Sequence, residues 1–220
     1  MRKYGLYCPL RKANPYRKLA KAIEPSEHAQ NLVDRDFRKG ARKVLLTDIT
    51  YLYYGDHTVA YLSTIKDAFT KEILAYEVSD SLEMPFVLRT IEQLKEKHGD
   101  SLKGVKEIYI HSDQGSHYIS TSFTELVKQS GWIQSMSRRG NCWDNAPQES
   151  FFGHMKDEIK GALPKCQSLI ELKMVIKYYM DYYNTERYQW DLCKLAPAEY
   201  YEYCISGELP GMDLYEAAMA

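Results

Sequence analysis

Three consecutive strand-like runs constrain most tightly what this chain can fold into. Residues 44–54, VLLTDITYLYY, are rich in leucine, tyrosine and β-branched residues and stop at the turn pair Gly55-Asp56. HTVAYLSTIKDA and FTKEILAYEVSD follow with almost no chain between them. Connections that short predict an antiparallel meander. Beyond it, helices and strands alternate. Glu83–His98 carries Phe86, Val87, Ile91 and Leu94 near helical spacing, with Gly99 placed to stop it. Gly104–Ser112 reads as a fourth strand, Ser120–Ser130 as a helix closed by Gly131, and WIQSMS as a fifth strand. Asn145–Leu163 is a long helix with Phe151, Phe152, Met155 and Ile159 on its apolar face and Pro164 at its end; Leu169–Tyr183 is another. The expected class is α/β: three antiparallel strands plus two further strands in a mixed sheet, with helices on both faces.

The flanks differ from this centre. Residues 1–43 hold 12 Lys/Arg against four Asp/Glu, with tyrosines and prolines interleaved, and read as a basic N-terminal arm. Residues 181–220 hold two basic against eight acidic residues, so the overall charge of −1 hides a strong polarity. If the chain contacts phosphates, the front is where they belong; an ordinary solvated asymmetry is the competing reading. The expected organisation is an arm over 1–43, a core over 44–163 and a helical extension over 164–220. Five scattered cysteines with no C-x-x-C pair argue against a disulfide framework or a structural zinc site. No apolar run is long enough for a membrane span and no signal peptide is visible, so a cytoplasmic protein is expected.

Three acids draw attention. Asp48 lies in the middle of the first strand, where aspartate is disfavoured and a charge needs a partner or a cation. Asp113 ends the fourth strand in HSDQGSHY, and ligands of open α/β sheets gather at the carboxyl ends of strands. Glu149 lies in the first turn of the long helix, with Asn145 as expected N-cap and Gln148 as its capping-box partner. Each has a plain structural reading: an edge or paired aspartate, a turn aspartate before glycine, an acid complementing a helix dipole. The interval of 35 residues between Asp113 and Glu149 decides little alone, since 30 of the 220 residues are acidic.

The surrounding words decide more. LTDITYL, HSDQGSHY and SMSRRGNCWDNAPQESFFGHMKDE resemble the three blocks of insertion-sequence transposases with a retroviral-integrase-like core, specifically the insertion sequence three family. YYNTERYQWDLCKLAPAEY resembles that family's tail motif. The likeness covers residues 30–200, with Gln114 where arginine is more usual and Ala146-Pro147-Gln148 in place of a commoner apolar triplet. It implies a ribonuclease-H-like fold, the catalytic set Asp48, Asp113 and Glu149, and Mg²⁺ or Mn²⁺ as cofactor, two ions per active site. It also implies that Lys156, two turns beyond Glu149 on the same helix face, contacts DNA. The partners it implies are element ends and target DNA, a second or further copies of the chain, and the product of the upstream reading frame. The arm over 1–43 would then be the remnant of an upstream helical DNA-binding domain.

The segment Ser137–Asp144 is polar and glycine-containing, and reads as mobile. Within it Arg138 and Arg139 suit phosphate contact. Trp143 has two readings, stacking on a base or anchoring the loop. Asn145 joins the DNA-contact candidates, and His111 either orients a ligand or packs structurally. Other chemistries lack their signatures. Despite 19 tyrosines, no H-x-x-R follows any of the six histidines, against a tyrosine recombinase. Gly99 and Gly104 have P-loop spacing, but Val105 follows instead of lysine. A nuclease of the same fold and an inactive DNA-binding fragment are the remaining alternatives; the long block around Glu149 argues against the first and the intact acids against the second.

Overall fold

The computed structural model describes residues 29–138 and 141–210. These residues form a five-stranded sheet in the order β3-β2-β1-β4-β5. Strands β1 (Val44–Tyr54), β2 (Thr58–Asp67) and β3 (Ile73–Ser79) make the expected antiparallel meander. Strands β4 (Tyr109–Ser112) and β5 (Ile133–Met136) add parallel to β1 and to each other. The helices are α1 (Met84–Leu102), α2 (Thr121–Gln129), α3 (Ala146–Ile159), α4 (Leu169–Thr185) and α5 (Pro197–Ser206). A 3₁₀ turn, Cys142–Asn145, leads directly into α3.

Two apolar cores form because alternate strand residues face opposite sides of the sheet. On one side, Leu45, Ile65 and Ile110 meet Phe86, Ile91 and Leu94 of α1 and Phe123 and Val127 of α2. On the other, Leu52, Leu62 and Val78 meet Phe151, Phe152 and Met155 of α3 and Leu172, Ile176 and Tyr183 of α4. The sheet is therefore covered on both faces, as the patterning requires. Among the described residues no helix is long and apolar enough to cross a membrane.

Some boundaries move for physical reasons. Helix α1 does not stop at Gly99 but runs to Leu102, whose side chain is buried in the α1/α2 core. The left-handed residue that turns the chain is Gly104, with φ +81°. The fourth strand starts at Tyr109 rather than Gly104, because Glu107 takes φ +59°, incompatible with a continuous strand. Helix α3 ends at Ile159, and Pro164 sits in a separate 3₁₀ turn, Leu163–Lys165. The tail adds one helix, α5, anchored where the Arg42 guanidinium lies 3.7 Å from the centre of the Tyr201 ring.

The expected capping box at Asn145 and Gln148 does not form: α3 has no side-chain bond at its N-cap. Both side chains are buried and turn to tertiary partners instead. Asn145 Nδ2 points at Asp48 Oδ2, 3.5 Å away, and Gln148 Nε2 donates to Thr64 Oγ1 of β2. A buried amide must find its partner where the packing puts one, and here that is the sheet.

Candidate active site

The geometry of the site follows from the parallel pair β1 and β4. Leu46 stands opposite His111 in that pair. Asp48 lies two residues beyond Leu46 in β1, so the period of two puts it on the face away from α1 and α2, and Asp113 directly follows Ser112, the last residue of β4. Asp113 leaves the strand into a tight turn, where its Oδ1 accepts the Gly115 N–H at 2.9 Å. A Cβ at position 115 would lie 2.9 Å from that same oxygen, so any larger residue there would have to displace the Asp113 carboxylate.

The third carboxylate is delivered by α3. Lys66 of β2 donates to the Pro147 carbonyl at 3.0 Å, and Gln148 and Asn145 bond to β2 and β1 as described. Three bonds from the helix start to the sheet bring Glu149 to the same cleft. Its effect there is electrostatic. Burial, then the charge of Asp113, raise the Asp48 pKa to about 7, with Glu149 adding to the rise; the Ile49 N–H and Lys156 oppose it. Burial and then Asp113 likewise raise the Glu149 carboxyl. The charge of Asp113 thus reaches both Asp48 and Glu149, and that of Glu149 reaches Asp48. Among the described residues no three His, Cys, Asp or Glu side chains stand close enough to hold an ion together, so the carboxylates share a cleft without closing into a cage.

Lys156 belongs to the same field: burial lowers its pKa, while the charge of Asp48 holds it up. Trp143 is 62% exposed. Arg138 is bound to Asp144 through its backbone and side chain. His111 is buried with both ring nitrogens engaged, Nδ1 with Ser135 Oγ at 3.0 Å and Nε2 with Ser137 Oγ and the Asp144 carbonyl at 3.1 and 3.0 Å. Burial lowers its pKa to about 4, which keeps the ring neutral near pH 7. Arg139 lies outside the described residues.

Sequence reasoning passed over Asp144 and Lys66, and gave Gln148 a capping role in place of its bond to Thr64. Asp144 sits beside Asn145 in the block around Glu149, and nothing in the local sequence marks it as buried. For Lys66 the available signal was its place in a strand interior, as anomalous there as Asp48.

Comparison with known proteins places this arrangement. Two models of the integrase core domain match residues 38–142 and 149–203. The chain is 37% identical over 173 residues to an uncharacterized transposase-like protein of Haemophilus influenzae, covering 78% of this chain and 77% of that one. It is 32% identical over 176 residues to an uncharacterized 31 kDa protein of insertion element IS600 from Shigella sonnei, covering 79% of this chain. The chain belongs to the insertion-sequence transposases with an integrase core. This transposase spans 62% of the length of the Shigella relative. In fold it is similar to the HTLV-2 integrase catalytic core domain solved with magnesium in a dimeric form. The TM-score is 0.59 at 15% identity, over 74% of this chain and 99% of that one. The fold is thus that of the retroviral integrase cores, the ribonuclease-H-like sheet expected from the quoted blocks.

Proposed function

We propose that this chain is the catalytic part of a transposase that cuts DNA at the ends of an insertion sequence and joins those ends to target DNA. Asp48, Asp113 and Glu149 are the residues that carry the reaction. The supporting observation is that carboxylates from β1, the end of β4 and the start of α3 lie within electrostatic reach: the charge of Asp113 raises the proton affinity of both Asp48 and Glu149, and Glu149 adds to the rise at Asp48. Like charges brought together beside the carboxyl end of β4 need a cation to be stable in the ionised form. The donor set is all oxygen, which suits Mg²⁺ or Mn²⁺, two ions per site. When bound, such ions supply Lewis acidity for in-line displacement at phosphorus.

The chain's own residues do the rest. Asn145 directs its amide toward one oxygen of Asp48 and the Ile49 N–H holds the other at 2.7 Å, so the carboxylate keeps one orientation. Lys156 offers a cation beside the acids to a DNA phosphate, and Arg138 and Arg139 are further candidates for phosphate contact by their chemistry. Trp143, exposed on the turn before α3, offers a face for stacking on an unpaired base at the DNA end. The DNA partners are element ends and target. Joining two ends to one target calls for a homodimer or higher assembly, and the upstream reading-frame product is a further partner.

The test is a strand-transfer assay with pre-cleaved element-end DNA, target DNA and Mg²⁺. Asp48→Asn, Asp113→Asn and Glu149→Gln are each expected to reduce joined products to background. DNA affinity should be kept or improved, since each change removes negative charge beside phosphates. Normal joining by any one of the three variants would remove that residue from the site.

A further inference from the structure

A second cluster, separate from the three carboxylates, ties the beginning of the described chain to the turn that launches α3. Its centre is Asp144, fully buried. Asn31 Nδ2 donates to Oδ2 at 3.0 Å and Arg35 Nε to Oδ1 at 2.7 Å. The Arg138 backbone N–H and Nε donate to Oδ2 at 3.0 and 2.9 Å, and its Nη2 to Oδ1 at 2.8 Å. Segment 30–33 is laid along β5. The Met136 N–H donates to the Gln30 carbonyl at 3.2 Å, and the Leu32 and Val33 N–H groups donate to Ser135 Oγ at 3.0 and 3.2 Å. His111 of β4 closes the circuit through Ser135, Ser137 and the Asp144 carbonyl.

The redundancy of donors is informative. Arg138 lies six residues from Asp144 and reaches both carboxylate oxygens unaided. A local arginine fork already compensates the buried charge. Asn31 and Arg35 come from 113 and 109 residues away and add constraint rather than bare neutralisation. Constraint matters at this point of the chain because α3 has no N-cap side-chain bond to fix how it begins. The next residue, Asn145, faces Asp48, and Glu149 follows within the first turn of α3.

We propose that Arg35 and Asn31 are positioning residues for Glu149: by clamping Asp144 they fix the turn from which α3 starts. Segment 30–35 then sets the carboxylate constellation without entering it. This rests on the catalytic reading of Asp48, Asp113 and Glu149 above. Arg35 works through Asp144, so its loss should slow the chemical step and leave binding of blunt, fully paired DNA, the substrate used for KM, alone.

The experiment uses the full 220-residue chain with Trp132→Phe and Trp190→Phe, which leaves Trp143 as the single tryptophan reporter beside Asp144. In this background Arg35→Ala, Arg35→Lys and Asn31→Ala are compared by strand-transfer kcat, KM for DNA, Trp143 fluorescence anisotropy and thermal unfolding. Arg35→Ala should keep cooperative unfolding, because Arg138 still pairs Asp144. It should lose about 100-fold in kcat, the scale of a ~1 Å misplacement, with KM unchanged within about twofold. Trp143 anisotropy should fall well below the unfolding temperature, and Arg35→Lys should recover part of both losses. If Arg35→Ala does not unfold cooperatively, Asn31→Ala carries the same readouts with an expected loss of about tenfold. Unchanged kcat and anisotropy, or a loss confined to KM, overturns the clamp and in the latter case marks Arg35 as a DNA contact. Normal turnover by Glu149→Gln overturns the catalytic reading and the positioning of Glu149 with it. With Glu149 shown to be essential, an unmoved Trp143 overturns the clamp alone.

Discussion

Asp48 and Asp144 are two aspartates withdrawn from water, and the chain treats them in opposite ways. At Asp48 burial, then Asp113, push the pKa up to about 7, Glu149 adds to the push, and the Ile49 N–H and Lys156 resist. At Asp144 burial pushes the same way, but the side chain and backbone N–H of Arg138, together with Arg35, more than reverse it. Its carboxyl is held far below the usual range. The Asp144 charge is compensated within the fold, and the Asp48 charge is left uncompensated beside two further acids. The proposed role of Asp48 accounts for that difference: its charge would be met by a cation from outside the chain. The electrostatics therefore separate a buried acid that is compensated within the fold from one that is not.

The largest effect that would break this contrast is on stability. We predict that Asp144→Ala destabilises by about 3 kcal/mol, the scale of losing buried hydrogen bonds to a charged group, in thermal or denaturant unfolding. Asp48→Asn should do the opposite in metal-free buffer. The folded-state pKa of Asp48 lies above its unfolded value, so the native state holds the proton longer, and stability falls as pH rises from about 4 to about 7. Asparagine has no such loss. The variant should melt higher than the parent at pH 8, with the gap closing toward pH 4. A lower melting temperature for Asp48→Asn at pH 8 would mean that its charge is compensated after all.

How much of this was legible in the residues depends on the range of the interaction. The meander was readable because β-branched and aromatic runs with turn pairs act locally, and β1 falls at Val44–Tyr54 as the pattern predicts. Asp48 stood out because an aspartate in a strand interior violates a local preference, and the blocks around Asp113 and Glu149 are distinctive enough to point to the family the chain belongs to. What failed were readings in which a local rule met a distant partner. Asn145 and Gln148 form a capping box on paper, yet Asp48 and Thr64 take their amides across the fold. The segment before Glu149 looked mobile from its polarity, but Asp144 within it is a buried anchor held by residues more than 100 positions upstream. Polar composition cannot reveal a buried acid whose donors come from another part of the chain.

A second effect sharpens the comparison with a buried cation. Lys66 is enclosed beneath the start of α3, its Nζ on the Pro147 carbonyl at 3.0 Å and 5.3 Å from the centre of the Phe151 ring. Burial, then the charge of Lys71, lower its pKa to about 7. The folded value lies below the unfolded one, so between about pH 7 and 10.5 the unfolded chain binds more protons and stability rises with pH. Below that window the charged amine is buried at full cost. Lys66→Met should therefore stabilise at pH 6 by on the order of 2 kcal/mol, after the lost bond to the Pro147 carbonyl is allowed for. The gain should shrink toward pH 10. A pH-independent difference between variant and parent would show that Lys66 is compensated as fully as Asp144.

The smallest effect concerns the residue next to the anchor. Trp143 is 62% exposed while Asp144 is fully buried, so the turn before α3 presents neighbouring residues to opposite environments. If the inward residue serves the fold and the outward one serves DNA, their substitutions should separate cleanly. Trp143→Ala should change stability by no more than about 0.5 kcal/mol, as exposed substitutions usually do. It should weaken binding to element-end DNA with an unpaired terminal base by about 1 kcal/mol, the low end of base–aromatic stacking. Trp143→Phe, which keeps an aromatic face, should recover most of that binding, and blunt fully paired DNA should be indifferent to either change. Fluorescence titration at a fixed salt concentration measures the affinities, and thermal unfolding measures the stability. A loss of more than about 2 kcal/mol in stability with unchanged DNA affinity, a size reserved for buried or networked groups, would make Trp143 the anchor of the loop. The division of labour between Trp143 and Asp144 would then collapse into a single structural role.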